Sequence, residues 1–138
     1  MKKVLIHLKS TQSVEETTDS IELRTHGVLT EKNGCTYLCY KENSEIGAKE
    51  VNTTLKLKAD TATIIRTGDL NGRLVCETGR RHECFYPTAC GKTVIGVFAE
   101  RVSNELTKNG RVILCYTLDI NGQVISKNNV EINIREEE

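Results

Sequence analysis

The sequence has no tryptophan, one proline and one methionine, and only 4% of its residues are aromatic. It also lacks an excess of either charge, with 19 Lys+Arg against 19 Asp+Glu and a formal net charge of zero. A chain built mainly to hold nucleic acid or an anionic membrane needs a basic surface, so neither partner is expected. The shortage of aromatics removes the stacking platform that single-strand binders use. Apolar runs are only a few residues long, far short of a spanning helix. With 10 Gly and 38% hydrophobic residues, the collagen-like and disordered classes are excluded as well. No Gly-x-Gly-x-x-Gly, Walker or Gly-x-Ser-x-Gly pattern is present, so the common phosphate loops and the nucleophile elbow are missing.

What is there fits one domain. The 138 residues, read as a single domain over 1–138, are enough to bury a hydrophobic core without staples. Six cysteines, Cys35, Cys39, Cys76, Cys84, Cys90 and Cys115, could form three disulfides. The opening Met1-Lys2-Lys3-Val4-Leu5-Ile6 imitates a signal peptide, but His7 and Lys9 break the run and no cleavage site follows. A cytoplasmic chain with free thiols is the simpler expectation.

The dominant period is two. Val51, Thr53, Leu55 and Leu57 fall on one face, and Asn52, Thr54, Lys56 and Lys58 on the other. Val4, Ile6 and Leu8 alternate in the same way, as do Ile21, Leu23 and Thr25, and Val130, Ile132 and Ile134. Turn signals recur between these runs at Asn33-Gly34, Asn71-Gly72, Gly79, Asn109-Gly110 and Asn121-Gly122. Ser13–Thr17 and Val102–Leu106 are the only short helix candidates. The pattern predicts an all-β protein of about ten strands at roughly ten-residue spacing. An antiparallel meander of that size is most stable when it closes into a barrel, because closure removes exposed edges. A barrel of about 8–10 strands has room inside for side chains and one small ligand.

Several segments carry a resemblance. They are Asn33-Gly34 followed by Tyr37-Leu38-Cys39-Tyr40-Lys41-Glu42, then Ile64-Ile65-Arg66-Thr67-Gly68, then Thr88-Ala89-Cys90-Gly91. Tyr116-Thr117-Leu118-Asp119 before Asn121-Gly122 and the closing Asn128-Asn129-Val130-Glu131-Ile132 continue the order. Together they span nearly the whole chain and resemble the YwiB-like family of uncharacterised bacterial proteins. The resemblance implies a calycin, or lipocalin-like, β-barrel and hands over no catalytic residue. This chain departs from the family at Thr88-Ala89-Cys90-Gly91, where a proline and an aromatic usually stand between Thr and Gly. Here the sole proline, Pro87, precedes the threonine.

Arg66 is the leading candidate for a ligand-binding residue. It shares a strand face with Ala62 and Ile64 and should point inward. An inward guanidinium needs a partner. Either it holds an anionic ligand group at the barrel mouth, or it makes a salt bridge to Glu42 or Glu77. Tyr40 and Glu42 are the accompanying ligand-binding candidates. Tyr37 and Tyr116, among apolar neighbours, read as core. In Arg80-Arg81-His82-Glu83, alternation puts Arg81 and Glu83 on one side and His82 on the other, which favours a surface ion pair over a catalytic base. His7 and His26 read as surface residues. Cys35 and Cys39 lie about 13 Å apart along one strand, too far to share a metal ion. Cys84 could approach Cys90 around Pro87, and Cys90 is the thiol in the most electropositive setting. No catalytic residue, metal or cofactor is expected.

The sequence therefore predicts a non-enzymatic barrel that binds a small apolar or amphipathic ligand in its interior, an expectation that fails if the interior is filled by its own side chains. The alternatives are an interaction module or homodimer acting through its surface, and an enzyme that handles an anionic metabolite through Arg66 and His82.

Overall fold

The computed structural model of the protein describes residues 1–43, 50–88 and 91–137. The strands are β1 (Lys2–Val14), β2 (Thr17–Lys32), β3 (Cys35–Asn43), β4 (Glu50–Leu57) and β5 (Thr61–Gly68). They continue as β6 (Gly72–Glu77), β7 (Arg81–Thr88), β8 (Gly91–Glu105), β9 (Arg111–Ile120) and β10 (Gln123–Glu136). One short helix, α1 (Leu106–Asn109), lies between β8 and β9. The strands form one antiparallel sheet in the order β6-β5-β4-β3-β2-β1-β10-β9-β8-β7, nearly closed into a calycin-like barrel.

The closure has an unusual position in the chain. The first and last strands are laced together, from Val4 opposite Glu136 to Ser13 opposite Lys127. The ladder is missing in mid-chain, between β6 and β7. Among the described residues, the backbone hydrogen bonds here are at the turn, where Arg80 N–H donates to the Glu77 carbonyl and Gly79 N–H to the Ala99 carbonyl of β8 (3.1 and 2.9 Å). Side chains join the rest of this seam.

Asn-Gly turns form where both residues reach positive φ. Asn33-Gly34 (52° and 76°) and Asn121-Gly122 (53° and 84°) make the tight hairpin turns whose twist suits antiparallel strands. The other two Asn-Gly pairs behave differently. Asn109-Gly110 ends α1, with Gly110 N–H donating to the Leu106 carbonyl. Gly72 opens β6, and a side chain there would strike the Tyr86 ring. Ser13–Thr17 forms no helical turn. The β1–β2 ladder runs up to Val14 opposite Thr17, and Glu15 turns the chain at φ 54°.

The inward rows follow from alternation. Val51, Thr53, Leu55 and Leu57 are all buried, as are Val4, Ile6 and Leu8. Leu55, Leu57, Val4, Ile6 and Leu8 join Val97, Val112, Leu114 and Ile132 in one continuous apolar cluster. Leu38, Val97, Ala99 and Val112 have 0% exposed surface. A void able to hold water would leave some of that surface open, so none touches these four side chains. Outside, Val94 and Phe98 of the apolar run Thr93–Ala99 are exposed, and the Arg81 guanidinium covers Gly96. Among the described residues, no helix is long and apolar enough to cross a membrane.

Candidate functional site

At one end of the barrel the inward row changes from apolar to polar. This is the end where β3, β5 and β7 finish and β4, β6 and β8 begin. Register pairing places Tyr40 opposite Thr53, and Thr53 opposite Arg66, so three neighbouring strands present these side chains on one face. Arg66 follows buried Ala62 and Ile64 on the same face of β5, so its side chain is directed inward.

Arg66 finds its partners across the barrel end. Its Nη1 donates to the Tyr86 hydroxyl at 2.8 Å, and its Nε lies 3.5 Å from Glu42 Oε2. Glu42 also stands near the Tyr40 hydroxyl, where its charge works against ionisation of the phenol. Burial works against the Arg66 charge, but the facing Tyr86 and Glu42 outweigh it and hold the guanidinium firmly protonated. Burial raises the Tyr40 and Tyr116 pKa values, with Glu42 adding to the effect at Tyr40 and Cys76 at Tyr116. The Tyr40 and Tyr116 phenols therefore keep their protons at neutral pH. The Thr53 hydroxyl, on a residue only 1% exposed, is buried with no hydrogen-bond partner. Water does reach the cluster, since the Arg66 and Glu42 side chains are 22% and 27% exposed. The arrangement is a cluster of one guanidinium, one carboxylate and several hydroxyls at the end of the apolar core.

The structure thus brings Arg66, Tyr40 and Glu42 together. Of the two salt bridges the sequence allows for Arg66, it makes the one to Glu42. Glu77 instead takes the His82 imidazole at 2.9 Å. One tyrosine gains a role and another changes its own. Tyr86, which the sequence places in a strand without choosing between core and pocket, is the hydrogen-bond partner of Arg66. Tyr37 is not core, because it lies on the opposite face of β3 from buried Leu38 and Tyr40, and Lys56 Nζ stands 5.9 Å from its ring centre. Tyr116 packs partly buried against the core as expected.

His82 lies opposite buried Val97 and on the same face of β7 as Tyr86. Four residues separate the two, about 13 Å along a strand, so His82 and Arg66 do not share a reaction centre. Arg81 faces outward, as alternation predicts, and clasps Asp119 through Nε and Nη2 at 3.0 and 2.8 Å. His7 and His26 have carboxylate partners that local sequence does not show, Glu22 and Glu137. They line an outer groove of about 490 Å³ over β1, β2 and β10.

Cys35, Cys39, Cys76, Cys84 and Cys115 are free thiols. Burial pushes the Cys76 thiol up to about 12, and Cys84 adds to it, so Cys76 is no nucleophile at neutral pH. Cys90, and with it the Cys84–Cys90 approach, lies outside the described residues.

A family model described as a domain of unknown function (DUF1934) matches residues 6–132. Among solved structures, the chain is similar to the crystal structure of ywiB protein from Bacillus subtilis. The TM-score is 0.84 at 20% identity, over 99% of this chain and 93% of that one. That likeness supports the barrel fold. No curated protein matches.

Proposed function

The chain belongs to the DUF1934 family of domains of unknown function, and from that premise we propose that it is a cytoplasmic binding protein without catalytic activity. Its ligand is a small amphipathic molecule whose polar end is held by Arg66, Tyr40 and Glu42. The apolar part lies at the barrel mouth against the tyrosine rings. One observation carries the reading. A guanidinium directed into the barrel, partly open to water and hydrogen-bonded to the Tyr86 hydroxyl, sits where the inward surface stops being apolar. A purely structural role for Arg66 would need only its ion pair, not the unpartnered hydroxyl of Thr53 beside it. Native mass spectrometry of the protein isolated from its own cells tests the reading. A retained small-molecule mass that disappears in Arg66→Met supports it, and an identical spectrum for both proteins contradicts it.

A second reading is favoured by the outer wall. Phe85 is 65% exposed and pairs directly with Val94, also exposed, with exposed Phe98 on the same outer face of β8. An apolar face of this kind suits a homodimer or another protein partner. Sedimentation of the wild type and Phe85→Ser checks it, since a concentration-dependent dimer should be lost in the variant.

A further inference from the structure

Resting on the binding reading above, we infer that the ligand's polar end is a singly charged carboxylate, and that it binds by taking the place of the Glu42 carboxylate on Arg66 and Tyr40.

The Arg66–Glu42 contact is loose by the standards of this same protein. Its Nε···Oε2 separation is 3.5 Å, whereas Arg81 grips Asp119 at 2.8 and 3.0 Å through two nitrogens. Charge-assisted hydrogen bonds usually close to about 2.7–2.9 Å. Glu42 is also the last residue but one of β3 and 27% exposed, so its side chain can turn out to water. Meanwhile the cluster around Arg66 holds a single carboxylate. The guanidinium and the hydroxyls of Tyr40, Tyr86 and Tyr116 stand against it. The Tyr86 oxygen accepts from Arg66, which leaves its own proton to give. The missing chemistry is therefore an acceptor with two oxygens.

Charge selects among such acceptors. With Glu42 turned outward, the recess carries one positive charge, and a carboxylate neutralises it. A phosphate monoester brings about 1.5 to 2 negative charges at neutral pH. The excess would sit beside buried phenols with no second cation among the described groups around Arg66, and an uncompensated buried charge is costly. Glu42 thus acts as the resident form of the ligand's own head group. It stabilises Arg66 when the site is empty and competes with the ligand when it is not.

The test uses the full chain with ¹⁵N-labelled arginine, titrated with hexanoate, hexyl phosphate and 1-hexanol, which share one tail. Arg66 Nε–H is followed by NMR and assigned with Arg66→Lys. Hexanoate should bind at least about tenfold tighter than either other probe, and Glu42→Gln should tighten hexanoate by about tenfold. Hexyl phosphate binding as well as hexanoate, or weaker hexanoate binding by Glu42→Gln, overturns the inference. If 1-hexanol binds equally well, the carboxylate inference falls while the binding reading stands. If no probe moves any resonance of the barrel end, both fall. Should Glu42→Gln fail to fold, the three probes on the wild type decide alone.

Discussion

Arg66 on β5 donates to the Tyr86 hydroxyl on β7 at 2.8 Å, across the pair of strands, β6 and β7, that the sheet does not lace together. One hydrogen bond therefore does two jobs. It orients the guanidinium at the candidate site, and it helps close the barrel where backbone pairing is missing. His82 and Glu77 make a second clasp over the same seam near the β6–β7 turn.

Removing the first clasp should loosen the seam more than the rest of the barrel. Tyr86→Phe keeps the ring and deletes the acceptor. A hydrogen bond to a partly exposed charged group contributes about 1 kcal/mol. Urea unfolding should show that loss with an unchanged slope. Amide exchange should quicken in β6 and β7 and stay as in the wild type in β1 and β10.

Gly72 tests the same contact from the other side. A Cβ there would stand 2.5 Å from Cδ1 of the Tyr86 ring and 3.1 Å from Pro87 Cδ. Gly72→Ala should cost about 1–3 kcal/mol, the usual range for overpacking. Most of that cost should vanish in a Tyr86→Ala background, a coupling that a double-mutant cycle by denaturant melts would read.

Thr53 should respond in the opposite sense. Its hydroxyl is buried without a partner, and such a group costs about 1–3 kcal/mol. Thr53→Val keeps the shape and removes the unsatisfied group, so thermal melting of the unliganded protein should rise by several degrees, roughly as expected for about 1 kcal/mol in a chain of this size. A fall in melting temperature would mean that the hydroxyl is satisfied in solution.

Much of this arrangement is legible in the sequence, because a period of two over Val51–Leu57 names its buried face without help. The same rule turns Arg66 inward beside Ala62 and Ile64. It fails at Tyr37-Leu38-Cys39-Tyr40, where both faces carry apolar side chains and alternation cannot choose between them. Tyr86 escapes notice for a different reason. It meets Arg66 only because β7 closes against the β5–β6 edge, and no pairing of consecutive strands announces where a meander will close. The turn at Glu15 is missed because two glutamates before a threonine pair carry no signature of positive φ.

The outer clasp governs part of the acid limb of stability. The Arg81 hydrogen bond holds the Asp119 carboxyl below the usual carboxylate range, with the Gly122 N–H helping. A carboxyl whose pKa is depressed by folding stabilises the native state above its ordinary value, and that contribution is lost as pH falls through the depressed one. Stability of the wild type should therefore drop as pH is lowered below about 4. Asp119→Asn should be less stable near neutrality and show a shallower decline over the same interval, as followed by urea melts at successive pH values.

The most direct check of where a ligand sits is a co-crystal with 6-bromohexanoate, located by the anomalous signal of bromine. The account predicts the carboxylate on Arg66 Nε with Glu42 turned away, and the bromine at the barrel mouth near Tyr86 or Tyr116. Bromine between Leu38 and Val112 in the middle of the tube, or only in the outer groove beside Arg24 and Arg135, would contradict it.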